Sequence, residues 1–202
     1  MKEFVKREPV KGSTFDAFSQ QLRWFASNQI RNVAAVGGNM CTASPISDLN
    51  PIFIALNAQV KIVDADGSRR TIPVKELLKD YRVTSLKETE VLESVFVPYA
   101  KPLEFAHGYK QARRREDDIA IVTAGMRVAF EHNQDGHPTV KDIAICFGGM
   151  WRTAILAQKA QEFLVGKEWR RDILDQALDI LTQDVPLGEG APGGQVQYRQ
   201  TL

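Results

Sequence analysis

Ala34-Ala35-Val36-Gly37-Gly38-Asn39-Met40-Cys41-Thr42-Ala43-Ser44-Pro45-Ile46-Ser47-Asp48-Leu49-Asn50-Pro51 is the stretch around which the rest of the chain is organised. A short apolar run breaks into two glycines, which permit positive φ and let another group approach the backbone without meeting a Cβ. Asn39 tolerates the left-handed region and can bond its own backbone. Thr42, Ser44 and Ser47 supply small hydroxyls, and Ser47 or Asp48 is suited to cap a helix running through 51–56. The pattern predicts a tight turn, a polar loop and a capped helix start. Free N–H groups and a positive dipole end make such a start suitable for phosphate. The competing reading is a loop that only joins two elements; its length, with almost no bulky residue, favours ligand contact.

Working outward, Phe15, Phe18, Leu22 and Phe25 recur at helical spacing, predicting a helix that begins at Ser13 or Thr14 and fades near Asn28. Its aromatics, Trp24 included, read as core. Residues 1–12 read as a charged, weakly anchored lead-in. Downstream, 59–64 alternates as a strand, Asp66-Gly67 signals a hairpin turn and 69–72 returns. Pro73 opens a short helix over 74–78. A polar connection over 81–87 leads to a strand at 90–97 that Pro98 stops. Strands at 103–112, 122–130 and 140–147, with a turn at 133–138, predict an antiparallel meander. Two helices follow. One spans 153–164 and ends at Gly166; the other places Ile173, Ala177 and Leu181 on one face. Helices after antiparallel strands cover a sheet face, so the expected class is α+β. The tail at 186–194 is rich in glycine and proline, and 195–199 reads as a strand or as irregular chain. Pro98 and Pro102 bracket an expected boundary near residue 100.

Composition bounds the function classes. With 202 residues, 44% of them hydrophobic and 25% charged, the chain is ordinary for a globular protein and long enough to bury a core. A net charge of +1 gives no global field that favours nucleic acid. No apolar run reaches the roughly 18 residues of a membrane span, and residues 1–8 lack the apolar stretch of a signal peptide. Cys41 and Cys146 are too few for a four-cysteine zinc or iron–sulfur site, and a reduced cytoplasmic setting fits this usage. His107, His132 and His137 have no metal or triad spacing, so hydrolase chemistry has no support. Tyr109 to Asp118 sets three arginines against three acids between two strands. Most charge runs are solvated, but a short link between strands is a frequent place for functional loops, and three cations could meet phosphates.

The motifs carry a resemblance. Val36-Gly37-Gly38-Asn39 through Thr42–Pro51 resembles a flavin-contacting loop of the xanthine dehydrogenase family. Lys110-Gln111-Ala112, Arg114–Ala120 and Gly125-Met126-Arg127-Val128 resemble a later segment of the same family. Cys146-Phe147-Gly148-Gly149-Met150 and Ala191-Pro192-Gly193-Gly194 follow in the same order. The likeness runs from about Phe15 to Leu202.

The resemblance implies part of a middle, FAD-binding domain, set between iron–sulfur and molybdenum-cofactor domains. On this basis residues 1–98 are the later part of an α/β FAD-binding core, and 99–202 are a flavoprotein C-terminal subdomain, an antiparallel sheet covered by helices. Family electrons pass from a purine at molybdenum through iron–sulfur centres to the flavin, and then as hydride to NAD. Phe25 matches an aromatic at the adenine end of FAD. Ala35, Val36, Gly37, Gly38 and Asn39 match a loop whose backbone meets the cofactor, with Thr42 and Asp48 as polar contacts beyond it. Leu92 and Lys110 match neighbours of the isoalloxazine ring, and 114–118 matches a loop near the flavin face that NAD approaches. The flavin does the redox work while the protein supplies position and electrostatics.

No catalytic residue and no metal ligand are expected in this chain. The family's pyrophosphate-holding glycine loop would precede residue 1, and the domain would continue beyond Leu202 with an apolar helix. Arg113 stands where the family tends to have a small residue. A piece of this kind is expected to lack xanthine oxidation alone and to bind FAD weakly. Remaining domains or subunits are the expected partners, and full-length family members are homodimers. An aldehyde oxidase-like flavin domain and a remnant without cofactor are the alternatives. The Asp117-Asp118 pair leans toward the NAD-using enzyme by resemblance.

Overall fold

The computed structural model describes residues 11–115, 117–185, 187–188, 191 and 193–201. The lead-in reading for 1–10, Glu116 of the charge run and part of the glycine-rich tail therefore lie outside the described residues.

The first helix, α1 (Thr14–Arg23), starts where Ser13 accepts a hydrogen bond from the Asp16 N–H, while the Asp16 carboxylate reaches back to the Gly12 N–H at 2.8 Å. This reciprocal arrangement satisfies donors a helix start leaves unpaired. The helix stops earlier than its apolar spacing predicts. Ala26 adopts φ 43° and Ser27 caps a new short helix, α2 (Asn28–Val33), by accepting from the Ile30 N–H. A serine bonded to the backbone ahead of it begins a helix at the expense of continuing one. Phe25 thus lies in the joint between two helices, not on a helix face.

The central stretch also departs from expectation. Val36–Cys41 is a short helix, α3, and neither Gly37 nor Gly38 has positive φ. The left-handed residue is Ala43, at φ 47°, where the chain leaves the helix. The next helix, α4 (Asn50–Ala55), has Leu49 at its N-cap with no side-chain cap, where Ser47 or Asp48 was expected. Ser47, two residues earlier, accepts from the N–H groups of Leu49 and Asn50 and ties the approach to the helix together.

Strands β1 (Gln59–Asp64), β2 (Arg69–Pro73) and β5 (Glu90–Phe96) form an antiparallel sheet in the order β2-β1-β5. The expected short helix is α5 (Val74–Leu77). A two-stranded ribbon, β3 (Leu78–Asp80) with β4 (Val83–Thr84), takes the last residue of the expected helix and reaches into the segment read as a polar connection; its strands are too short to show a period. Strands β6 (Glu104–Ala112), β7 (Ala120–His132) and β8 (Pro138–Gly148) make the expected meander, and β9 (Ile155–Leu156) adds an edge. A helix was expected from 153. Instead Ile155 and Leu156 pair with Phe147 and Cys146, and α6 (Gln158–Leu164) begins after them. Helix α7 (Arg171–Asp184) carries the expected face, and 195–199 contributes to a last helix, α8 (Val196–Gln200), where a strand or irregular chain was expected.

The architecture is α+β. One core joins Phe18 and Leu22 of α1, Met40 of α3, Phe53 of α4 and Ile62 of β1 to Ala106, Ala144 and Cys146 of the larger sheet. The β7 alternation explains this. Thr123, Gly125 and Arg127 face α4, while Val122 and Val128 pack on the opposite side in separate clusters. Val140, Ile143, Leu164 and Ala177 close that second side beneath α6 and α7. At Gly125 an added Cβ would stand 2.4 Å from the Pro51 carbonyl oxygen, so the absence of a side chain is what lets α4 lie on the sheet.

Candidate functional site

Two depressions are lined in part by neighbouring residues, one by Leu49 and the other by Asp48. The first, about 370 Å³, is mostly apolar; Leu22, Phe53 and Leu49 line it, closed by Val36 and Gly37 of α3 and by Leu92 and Val95 of β5. The second, about 420 Å³, is lined by Phe25, Ile46, Asp48 and Lys110 and by residues 117–120.

Its charged pair is built from three elements. The Lys110 ammonium, from β6, lies 3.0 Å from the Asp48 carboxylate and donates at 2.9 Å to the Trp24 carbonyl, which α1 leaves free at its end. Gln21, one helical turn earlier, donates to the same Asp48 oxygen. Both charged side chains are largely buried, Lys110 at 6% and Asp48 at 13% exposure. Burial raises the Asp48 carboxyl above its ordinary range, and Lys110 with Gln21 only partly offsets this. The result is a buried, hydrogen-bonded ion pair in the wall of the second depression.

The structure does not gather all the expected residues. Val36, Gly37 and Leu92 share the first depression; Phe25, Asp48 and Lys110 share the second. Ala35 and Gly38 are exposed on α3, and a Cβ on Gly37 or Gly38 would meet nothing within 4 Å. The Asn39 side chain accepts from the Ser47 hydroxyl at 3.0 Å, and the Thr42 hydroxyl donates to the Gly38 carbonyl at 2.7 Å. These two residues shape the loop through bonds within it.

The charge run folds on itself. The Arg114 N–H donates to Asp118 at 2.8 Å and, with the Ile119 N–H, holds that carboxyl below its usual range. The Arg115 guanidinium lies 5.3 Å from the Trp24 ring centre, and Arg23 lies 5.0 Å from it. Trp24, read from sequence as core, is a half-buried ring with two cations over it, a favourable electrostatic contact. Gln21 and Trp24 are the participants that sequence reasoning missed. Their signal was the polar residues Gln21 and Arg23 among the aromatics of α1.

A dinucleotide flavin cofactor needs an apolar slot for its ring, backbone open to approach, and buried polar groups that fix orientation. Here these are the slot beside Leu92, the open space over Gly37 and Gly38, and the Asp48–Lys110 pair. The residues fit. Among the described residues no group of three or more His, Cys, Asp or Glu is placed to hold a metal ion, and no helix is long and apolar enough to cross a membrane.

Known proteins carry the same two parts. Residues 3–100 match the FAD binding domain in molybdopterin dehydrogenase, and residues 107–202 match the CO dehydrogenase flavoprotein C-terminal domain. Over 202 residues the chain is 46% identical to xanthine dehydrogenase 1 of Arabidopsis thaliana, covering 100% of this chain and 15% of that protein. It is 46% identical over 192 residues to xanthine dehydrogenase/oxidase of Gallus gallus, covering 95% and 14%. The chain thus spans only about one-seventh of these relatives. The fold is that of a carbon monoxide dehydrogenase chain from Hydrogenophaga pseudoflava, with TM-score 0.84 at 23% identity, covering 98% of this chain and 66% of that one. Quinoline 2-oxidoreductase from Pseudomonas putida 86 shares it at TM-score 0.77 and 21% identity, covering 100% and 74%. With both matches laid end to end over a fold that unites them in one core, the chain belongs to the FAD-binding flavoprotein family of the molybdopterin-dependent oxidoreductases.

Proposed function

We propose that this chain is the FAD-holding portion of a xanthine dehydrogenase-like oxidoreductase, on the path from iron–sulfur centres through FAD to NAD in purine oxidation. The observation that carries the reading is an apolar depression beside Leu49 and a second one beside the adjacent Asp48, which holds the buried Asp48–Lys110 pair. Bound FAD would supply two-electron redox chemistry. In this reading Leu92 and Val36 flank the flavin end, Gly37 and Gly38 bring backbone to the cofactor, Lys110 and Asp48 fix orientation, and Phe25 packs the adenine end. The loop at 114–118, with its arginines, edges the side from which NAD comes.

Identity with xanthine dehydrogenases of plants, a slime mould and vertebrates supports the purine enzyme over an aldehyde oxidase-like one. Iron–sulfur and molybdenum-cofactor domains, a homodimeric parent and a cytoplasmic setting complete the proposal. The division into 1–98 and 99–202 is part of it.

The test is a titration of the purified chain with FAD, following flavin fluorescence and thermal stability together. Saturable one-to-one binding near 10 µM, about 7 kcal/mol, is expected, with a loss of at least about tenfold in Leu92→Glu, which sets a charge in the slot. A folded chain that shows no saturable binding overturns the reading. Reduction of bound flavin by added xanthine would contradict the assignment of purine chemistry to other domains.

A further inference from the structure

Two sequence motifs remain without a role in this site, Cys146–Met150 and the tail around Ala191–Gly194. The structure ties them together. Arg199 of α8 is buried, at 5% exposure, and donates from Nη1 to the Gly149 carbonyl at 2.6 Å and from Nη2 to the Gly194 carbonyl. Its Nε–H is buried without a partner, and no ion pair forms at Arg199 among the described residues. A planar guanidinium can hold two carbonyls in fixed geometry. Here it fastens the tail to the end of β8.

The N–H of Gly149 carries the contact onward. The Gly149 N–H donates to the Pro45 carbonyl at 2.7 Å, inside the loop that ends in Asp48. Gly149 has φ 82°, and a Cβ there would lie 2.2 Å from the Ile121 carbonyl oxygen. On Gly148 a Cβ would lie 2.4 Å from the Thr123 hydroxyl, which itself donates to the Ser47 carbonyl at 3.1 Å. Gly149 is therefore gripped between tail and loop, by its carbonyl on one side and its N–H on the other. A second leg of the tail reaches β6, where Gln111, next to Lys110, donates to the Tyr198 hydroxyl at 2.9 Å.

We propose that Arg199 is a positioning residue for the loop 43–49, and that α8 braces both sides of the Asp48–Lys110 pair through Gly149 and Gln111. The effect on cofactor affinity rests on the flavin reading; the brace itself does not. Arg199 touches no residue of the two depressions directly. It acts by holding the carbonyl of Gly149, the residue whose N–H is bonded to Pro45. Burial without a carboxylate disfavours its charge, a cost that a purely space-filling apolar side chain would avoid.

The test is amide hydrogen exchange on the ligand-free chain, in wild type, Arg199→Met and Arg199→Lys, followed by FAD titration of each. In Arg199→Met the amides of Gly149, Leu49 and Asn50 should exchange about tenfold faster, while those of Val60 and Ile62 in the smaller sheet stay unchanged. Arg199→Lys, which can keep one carbonyl bond, should recover part of the protection. FAD should dissociate more readily from the variants in the same order. If Arg199→Met does not fold, Arg199→Gln replaces it, with the same expectation at Gly149, Leu49 and Asn50. Unchanged exchange at Gly149, Leu49 and Asn50, or equal acceleration at Val60 and Ile62, overturns the brace. Wild type that keeps this pattern but binds no FAD leaves the brace standing and removes the flavin reading.

Discussion

At the scale of single residues, glycines that look alike in sequence do opposite things. Gly125 lies under α4, where a Cβ would meet the Pro51 carbonyl oxygen at 2.4 Å and the Ile52 nitrogen at 2.5 Å. Gly125→Ala should cost about 3 kcal/mol or more, because backbone and not a movable side chain is struck. Gly37 sits within α3 with nothing within 4 Å of a Cβ. Gly37→Ala should stabilise the ligand-free chain by about 0.5–1 kcal/mol, the ordinary helical gain, and weaken FAD binding by filling the space above the backbone. Urea denaturation with and without FAD separates the two effects. The open backbone at Gly37-Gly38 was legible from sequence, although the turn expected there is helix. The clash at Gly125 was not, since a glycine in a strand does not say which element presses on it. The partners of Lys110 were equally hidden: Asp48 and the Trp24 carbonyl are 62 and 86 residues away in the chain.

At the scale of elements, long strands were legible because alternation over 9–13 residues leaves little choice. The errors lie where elements are short or locally capped. Helix α1 ends at Arg23 because Ser27 starts another, and Ile155-Leu156 is taken by the sheet edge before α6 can begin. Ser47, expected as one of two caps for α4, lies two residues before the N-cap Leu49 and instead ties the approach together, accepting from Leu49 and Asn50 and donating to Asn39. Ser47→Ala should lower stability by about 1–2 kcal/mol, since buried N–H groups lose their partner, read by thermal unfolding. The smaller sheet is fastened by Glu90 of β5. Its carboxylate receives two bonds from the Arg70 fork, at 2.8 and 2.7 Å, and one from the Lys87 N–H at 2.9 Å. Arg70 first, then the Lys87 N–H, hold the Glu90 carboxyl down at about 2, against an ordinary 4.5. The native state binds that proton less readily than the unfolded chain. Its contribution is thus full above pH about 4.5 and fades as pH falls toward 2. Urea midpoints of wild type and Glu90→Gln should converge across that window and differ most above it; a constant difference down to pH 2 would contradict the assignment.

At the scale of the whole molecule, the parts that match two family models share one core and one buried arginine. Arg127 of β7 donates to the Ala55 carbonyl at the end of α4 (2.9 Å), to Glu104 of β6 (3.0 Å) and to Asp142 of β8 (2.6 Å). Arg127→Met should cost about 3–5 kcal/mol, since a largely buried carboxylate and a helix-end carbonyl lose their partner together. It should do so in one cooperative transition, because α4 holds the smaller sheet to the larger. Two transitions in calorimetry would show that the halves fold separately. If FAD occupies the depressions lined by Leu49 and by Asp48, amide chemical shifts of the ¹⁵N-labelled chain, titrated with FAD, report it residue by residue. Perturbations are expected at Val36, Gly37, Gly38, Leu92 and Lys110, with Leu174 and Leu178 of α7 silent. A folded chain whose shifts move only at Leu174 and Leu178, or nowhere, would contradict that occupancy.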